Sequence, residues 1–536
     1  MKGFSVIMMA AMTIGATAQA STTLPEAIRV ETGMIKGAVA RDPAVMAYRG
    51  LPYAAPPVGA LRWRAPRRAL PWKGVRPAGL PGTTCPQPTS EVVAGLRIGE
   101  DCLNLDVWTA ARGARERRPV MVWFHGGERG FGSGSQALFD GAALARKGVV
   151  LVTVNYRGGP LGLLATPDLS AENPDHVSGN YALLDNIAAL QWVQRNIGQF
   201  GGDPHNVTIF GQSFGAGTSH FLSLSPLARG LFKRMINQSH ALYARDPSMF
   251  QAAMRYLPLK DAEADGQKYV AATGAHTLAE LRAMPWQALI AAYQKSKTDL
   301  LWSYALDGNV LPRGYAETYA AAAQSDVDEL AGENADESGA AAETAYDLVT
   351  AGKAQRPNNN IALLGRTGYL DYVRRKFGPM TDDYLALYPA SDDRQAFTSA
   401  NAAIRENARV SQWMWAGSFT HRRTKPVYLY YFDHAPPGPK QSVTGAYHGA
   451  ELGYVFANAD PAWDAQDRRV ADLLSSYWTN FAKTGDPNGP GLPYWPAYDP
   501  RKQQTMELGQ HFAPIPLADP HKITFWQHFY ATQPAR

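Results

Sequence analysis

Gly211-Gln212-Ser213-Phe214-Gly215 is the segment best suited to chemistry, because a serine with glycine two residues to either side fits a sharp strand-to-helix turn. Val207-Thr208-Ile209-Phe210 reads as the strand before it and a helical pattern follows, while Gly211, Gly215 and Gly217 allow close backbone approach. Such a turn lifts the Ser213 hydroxyl to a helix N-terminus, where main-chain N–H groups and the helix dipole favour negative charge. The chemistry that suits is nucleophilic attack on a carbonyl. The inert alternative is a glycine-rich turn with an incidental serine.

A serine hydroxyl attacks only when a base takes its proton, and the base needs an acid to orient it. Among twelve histidines, His448 stands in Gly445-Ala446-Tyr447-His448-Gly449-Ala450-Glu451-Leu452, a small-residue loop beyond the strand Val427 to Phe432. Loops at strand ends are where such folds present functional groups. Asn334-Ala335-Asp336-Glu337 follows another strand end at Leu330-Ala331-Gly332 and offers Glu337 as the acid. Ser213, Glu337, His448 is then the order nucleophile, acid, histidine expected of α/β-hydrolases. An oxyanion formed by attack needs preorganised N–H donors. His125-Gly126-Gly127 follows the strand ending at Phe124, so Gly126, Gly127 and the residue after the serine, Phe214, are the candidates.

The elements that must hold these residues are legible as an alternation of short β-branched runs and longer helical patterns, which predicts βαβ units around a mostly parallel sheet. Strands are expected at Pro119 to Phe124, Val149 to Val154, Val207 to Phe210 and Val427 to Phe432, with helices over Gly141 to Gly148 and Tyr181 to Ile197. The Ala-rich stretch from Asp246 to Tyr304 is expected to be a helical insertion over the active site without strong strands. The fold class is therefore α/β, of α/β-hydrolase type, with a mostly parallel central sheet flanked by helices.

Composition sets the outer limits. The 536 residues are 45% hydrophobic and 18% charged with a formal net charge of +5, values of a globular chain. The basic residues are dispersed, and the runs Arg112 to Arg118 and His421-Arg422-Arg423 read as solvated loops, so no nucleic-acid partner is expected. Lys2, the apolar run Phe4 to Ala16 and Ala18-Gln19-Ala20 predict a signal peptide over residues 1–20, too short for a spanning helix. Residues 21–536 then form one secreted or periplasmic domain without stable membrane insertion. Export allows Cys85 and Cys102, the two cysteines present, to be bridged, with two buried thiols as the alternative.

In these features the chain resembles the type-B carboxylesterase family, which includes the cholinesterases. Tyr48-Arg49-Gly50-Leu51-Pro52-Tyr53-Ala54, Glu100-Asp101-Cys102-Leu103-Asn104-Leu105, Gly179-Asn180-Tyr181-Ala182-Leu183-Leu184-Asp185 and Phe200-Gly201-Gly202-Asp203-Pro204 carry the likeness across the mature chain. The resemblance implies hydrolysis of a small-molecule ester without metal or cofactor, and a Cys85–Cys102 disulfide. It also implies a Ser213, Glu337, His448 triad, and Ser239 as a second serine that supports the acid by hydrogen bonding. The chain departs from the family pattern at four places: Glu128-Arg129 inserted after the oxyanion glycines, Phe214 in place of alanine, Asp328 and Glu329 in the acid strand with Ser338 after the acid, and Arg157-Gly158-Gly159-Pro160. Phe214 is expected to narrow the acyl pocket, and Arg129 or Arg157 to favour an acidic substrate. Trp302, Trp413 and Trp415 are candidates for a gorge or for the core. Rival functions are a catalytically silent adhesion or binding protein on the same fold, and an amidase using the same triad.

Overall fold

The computed structural model describes residues 24–535 except 91–92, 241–242, 251–254, 297–299, 301, 358–359 and 421–424, and gives only the backbone of 249–250. The expected signal peptide and the basic triplet His421-Arg422-Arg423 lie outside the described residues. The Arg112 to Arg118 run is the exposed loop expected, ending where Arg118 opens a strand.

Short β-branched runs buried on both faces are what a parallel sheet covered by helices requires. Seven such strands run parallel in the spatial order Gln504–Leu508, Val427–Phe432, Asp328–Asn334, Arg234–Gln238, Gly202–Gln212, Arg118–Phe124 and Val150–Val154. Antiparallel strands extend both edges to give eleven, with Asn104–Thr109, Met46–Pro52 and Ala38–Val39 on one side and Pro514–Pro516 on the other. All five residues of Val150–Val154 are buried, and each large aliphatic side chain so placed contributes about 1.5–3 kcal/mol. The expected helices form at Ala142–Arg146 and Tyr181–Asn196.

Two insertions leave the sheet. The first contains the helices Leu259–Thr273, Leu278–Ala283 and Trp286–Ser296, as the Ala-rich pattern suggests, and also a short parallel pair, Tyr256–Pro258 with Tyr304–Leu306, that the pattern did not disclose. The second was not anticipated: Gly365–Phe377, Thr381–Leu387 and the 28-residue helix Asp393–Thr420 pack with the helix Pro520–Thr532 around their own core. Trp302 and Trp415 are buried core residues, and Trp413 donates to the Lys502 carbonyl at 3.0 Å. Cys85 and Cys102 are disulfide-bonded, with Cα atoms 4.9 Å apart. Among the described residues no helix is long and apolar enough to cross a membrane.

Candidate active site

Ser213 stands between the strand Gly202–Gln212 and the helix Phe214–Leu224, with φ 56° and ψ −123°. A non-glycine residue held there costs about 1–3 kcal/mol, which the surrounding packing must offset. It does so through backbone contact: the Ser213 N–H donates to the Gln238 carbonyl at 3.0 Å, and a Cβ on Gly215 would lie 1.9 Å from the Phe124 carbonyl oxygen. Only glycine at 215 lets the helix N-terminus sit this close to the neighbouring strand. The first helical N–H, that of Phe214, has no carbonyl of its own helix to serve.

Gly126 lies against this turn, since a Cβ there would be 3.2 Å from Ser213 Cβ. Gly127 adopts φ 118°, and a Cβ on it would overlap the Phe131 carbonyl. The inserted pair forms a single 3-10 turn, Glu128–Gly130, that bulges outward: Glu128 is exposed, Arg129 is half-buried at φ 56°, and Gly130 returns to pack on Phe214 and Tyr156. The two inserted residues stand at the tip of this turn. The Phe214 ring is buried between Tyr156 and Tyr304, with centroids 6.5 and 5.6 Å away.

Glu337 follows the strand Asp328–Asn334 and is buried. One of its carboxylate oxygens accepts the Asn334 N–H at 2.6 Å and the other is bonded to His448 Nδ1. Ser338, where the family usually has glycine, takes φ 59° and carries the turn nevertheless. The imidazole of His448 loses some proton affinity to burial, but the Glu337 carboxylate outweighs this and raises its pKa above the ordinary value. His448 Nε2 is engaged by the side-chain amide of Gln212 at 3.1 Å. The structure thus joins Glu337 to His448 and sets His448 beside the serine turn, while among the described hydrogen bonds the partner of Nε2 is Gln212 and not the Ser213 hydroxyl. Because the Gln212 amide donates, Nε2 is the acceptor and the ring proton sits on Nδ1.

Ser239 is brought to the same place, but among the described residues its Oγ makes no hydrogen bond, and the backbone N–H of Asn334 donates to Glu337. Ser239 follows the strand Arg234–Gln238 and takes φ 58°. Arg157 likewise departs from expectation. It is buried in a paired contact with Asp185, Nε–Oδ2 2.8 Å and Nη2–Oδ1 2.7 Å, so it supports the floor of the fold and leaves Arg129 as the cation beside the oxyanion candidates. Asp328 in the acid strand is accounted for by an ion pair to Arg234 at 3.2 Å.

Several participants had no legible signal. Buried Glu451 accepts from Gln238 Nε2 at 2.8 Å and Asn334 Nδ2 at 2.6 Å, and Trp478 Nε1 completes the chain by donating to Gln238 at 3.1 Å. This network ties the end of the strand before Glu337 to the loop that carries His448. A cavity of about 750 Å³ opens on Glu337 and His448, walled by the second insertion.

The sequence model of the carboxylesterase family matches residues 25–526. The chain is similar to fumonisin B1 esterase of Sphingopyxis macrogoltabida, 34% identical over 92% of this chain and 89% of that protein. It is also similar to para-nitrobenzyl esterase of Bacillus subtilis, 32% identical over 90% of this chain and 94% of that protein. A solved structure of PNB esterase superposes with a TM-score of 0.75 at 29% identity, covering 94% of this chain and 99% of that one, and shares the α/β-hydrolase fold.

Proposed function

The chain belongs to the carboxylesterase family and is a carboxylic-ester hydrolase, and from that premise we propose that Ser213, His448 and Glu337 are its catalytic triad. The observation that carries the proposal is the contact of Glu337 with His448 Nδ1 beside a serine held at positive φ on a strand-to-helix turn.

Neutral His448 takes the Ser213 proton as that oxygen attacks the ester carbonyl, once the Gln212 amide has moved off Nε2. Glu337 keeps the ring proton on Nδ1 and stabilises the imidazolium that forms. The carbonyl oxygen, now negative, is met by the N–H groups of Gly126, Gly127 and Phe214, which need no reorganisation because backbone packing holds them. His448 returns its proton to the departing alcohol, and water activated by the same nitrogen then releases the acyl group from Ser213. The residues 1–20 and the disulfide support export of the enzyme to an oxidising compartment.

Replacing Ser213 by Ala tests this. A folded variant should lose at least about 10⁴-fold in kcat on p-nitrophenyl acetate, and turnover like that of the wild type would refute the assignment.

A further inference from the structure

Asp336, the residue before the proposed acid, has a side chain only 8% exposed. Its N–H donates to the Ala446 carbonyl at 3.0 Å, and its Oδ2 accepts the Ala446 N–H at 2.8 Å. Asp336 therefore clasps the chain just ahead of Tyr447 and His448. Gly445 packs flush on the same oxygen: it takes φ 56°, and a Cβ there would overlap Asp336 Oδ2. The clasp sets the backbone from which the imidazole projects.

A carboxylate has two oxygens and can serve two elements at once. Asp336 Oδ1 is bonded to Arg405 Nη2 at 2.5 Å, the same Nη2 donates to the Ala341 carbonyl at 2.9 Å, and Arg405 Nη1 pairs with Glu343. Arg405 lies on the helix Asp393–Thr420 of the second insertion, one turn after Asn401. The Asn401 side-chain amide bonds both the N–H and the carbonyl of Ala341 at 3.0 Å. Ala342 and Thr344 in turn donate to the carbonyls of Val443 and Ser442, ahead of His448. The segment that carries Glu337 and the loop that carries His448 are thus tied, directly or through one another, to one face of this helix.

Resting on the triad reading above, we propose that Arg405 is a positioning residue for the base: it holds Asp336, and through Asp336 the loop that presents His448 to Glu337 and Ser213. The role needs no contact with substrate. Asp336 lines the cavity beside His448, whereas Arg405 opens on a second cavity, of about 570 Å³, that Asp336 and Gly445 also line. Proton transfer depends steeply on placement, and a displacement of about 1 Å can cost on the order of 100-fold in rate. A tie that merely fastened the insertion to the sheet would change stability and leave the turnover of the folded enzyme alone.

The test uses two variants of the full-length protein and p-nitrophenyl acetate. Arg405→Ala removes the guanidinium. Asp336→Asn has one acceptor oxygen in place of two, so either the Ala446 N–H or Arg405 faces an amide NH2 and the clasp opens whichever way the side chain turns, with no carboxylate left unpaired. Each folded variant should lose at least about tenfold in kcat with KM within about twofold of wild type. The double variant should match the more impaired single one within about twofold, because both changes break the same link. Unchanged kcat in either folded variant, a loss carried by KM alone, or losses that multiply in the double variant would each overturn the proposal. Asp336→Asn decides the matter alone should Arg405→Ala not fold. Ser213→Ala reads the triad separately: wild-type turnover there withdraws the premise, whereas loss there beside unchanged kcat in Arg405→Ala overturns this proposal and spares the triad.

Discussion

At the Ser213 end of the site, backbone fixes the geometry: the turn exists because Gly215 admits the Phe124 carbonyl and Gly127 takes φ 118°. At the Glu337 end, side chains fix it: Glu337, Glu333, Asp246 and Glu451 are four buried carboxyl groups sharing one region, and Glu337, Asp246 and Glu451 are bonded to His448, Tyr530 and Gln238 from distant elements. At the backbone end the inserted Glu128-Arg129 occupies a single 3-10 turn with Glu128 exposed. A carboxylate cluster has no slack, since every charge in it alters the others. The two ends should therefore fail differently when altered.

The largest effect is expected at the side-chain end. Glu337→Gln should lower kcat/KM by about 10³–10⁴-fold while leaving the protein folded, because an amide cannot hold the imidazole tautomer or its cation. Its pH profile gives the sign. Activity requires neutral His448, whose pKa is raised in the folded protein, so wild-type kcat/KM should fall as pH drops through a midpoint above the ordinary histidine value. Removing the carboxylate takes away the stabilisation of the cation and should move that midpoint downward. A midpoint unchanged in Glu337→Gln breaks the comparison.

At the backbone end, Gly215→Ala should cost about 3 kcal/mol or more of stability and at least about 100-fold in kcat/KM together, because relief of the Phe124 contact displaces the serine. Thermal unfolding and ester kinetics on the same preparation check it. Arg157→Ala separates stability from activity more cleanly: leaving Asp185 buried and unpaired should cost about 3–5 kcal/mol, with kcat/KM of the folded fraction within about twofold of wild type. The smallest effect is expected for Gln212→Ala, which frees His448 Nε2 and should change kcat by no more than about threefold.

The same contrast explains what was legible in the sequence. Gly211, Ser213 and Gly215 announce a turn because the backbone demands those residue types locally. The parallel strands announce themselves through continuous β-branched runs. Glu337 and His448 were legible through chain order and loop position, and Cys85 with Cys102 through the family likeness. Glu333, Asp246 and Glu451 were not, because a carboxylate in a sequence reads as surface until tertiary packing buries it. The misreadings of Arg157 and Ser239 share that origin: each lies next to the right motif, but Asp185 and the Asn334 N–H decide where it points or what it replaces. The second insertion was missed because amphipathic helices covering a separate core carry no mark of which core they cover.

Labelling with a fluorophosphonate, followed by peptide mass spectrometry, tests the triad most directly. A single adduct on the peptide containing Ser213 is expected, forming at least about 100-fold more slowly in Glu337→Gln. Absence of labelling in the folded protein, or an adduct on any other residue, would contradict the account.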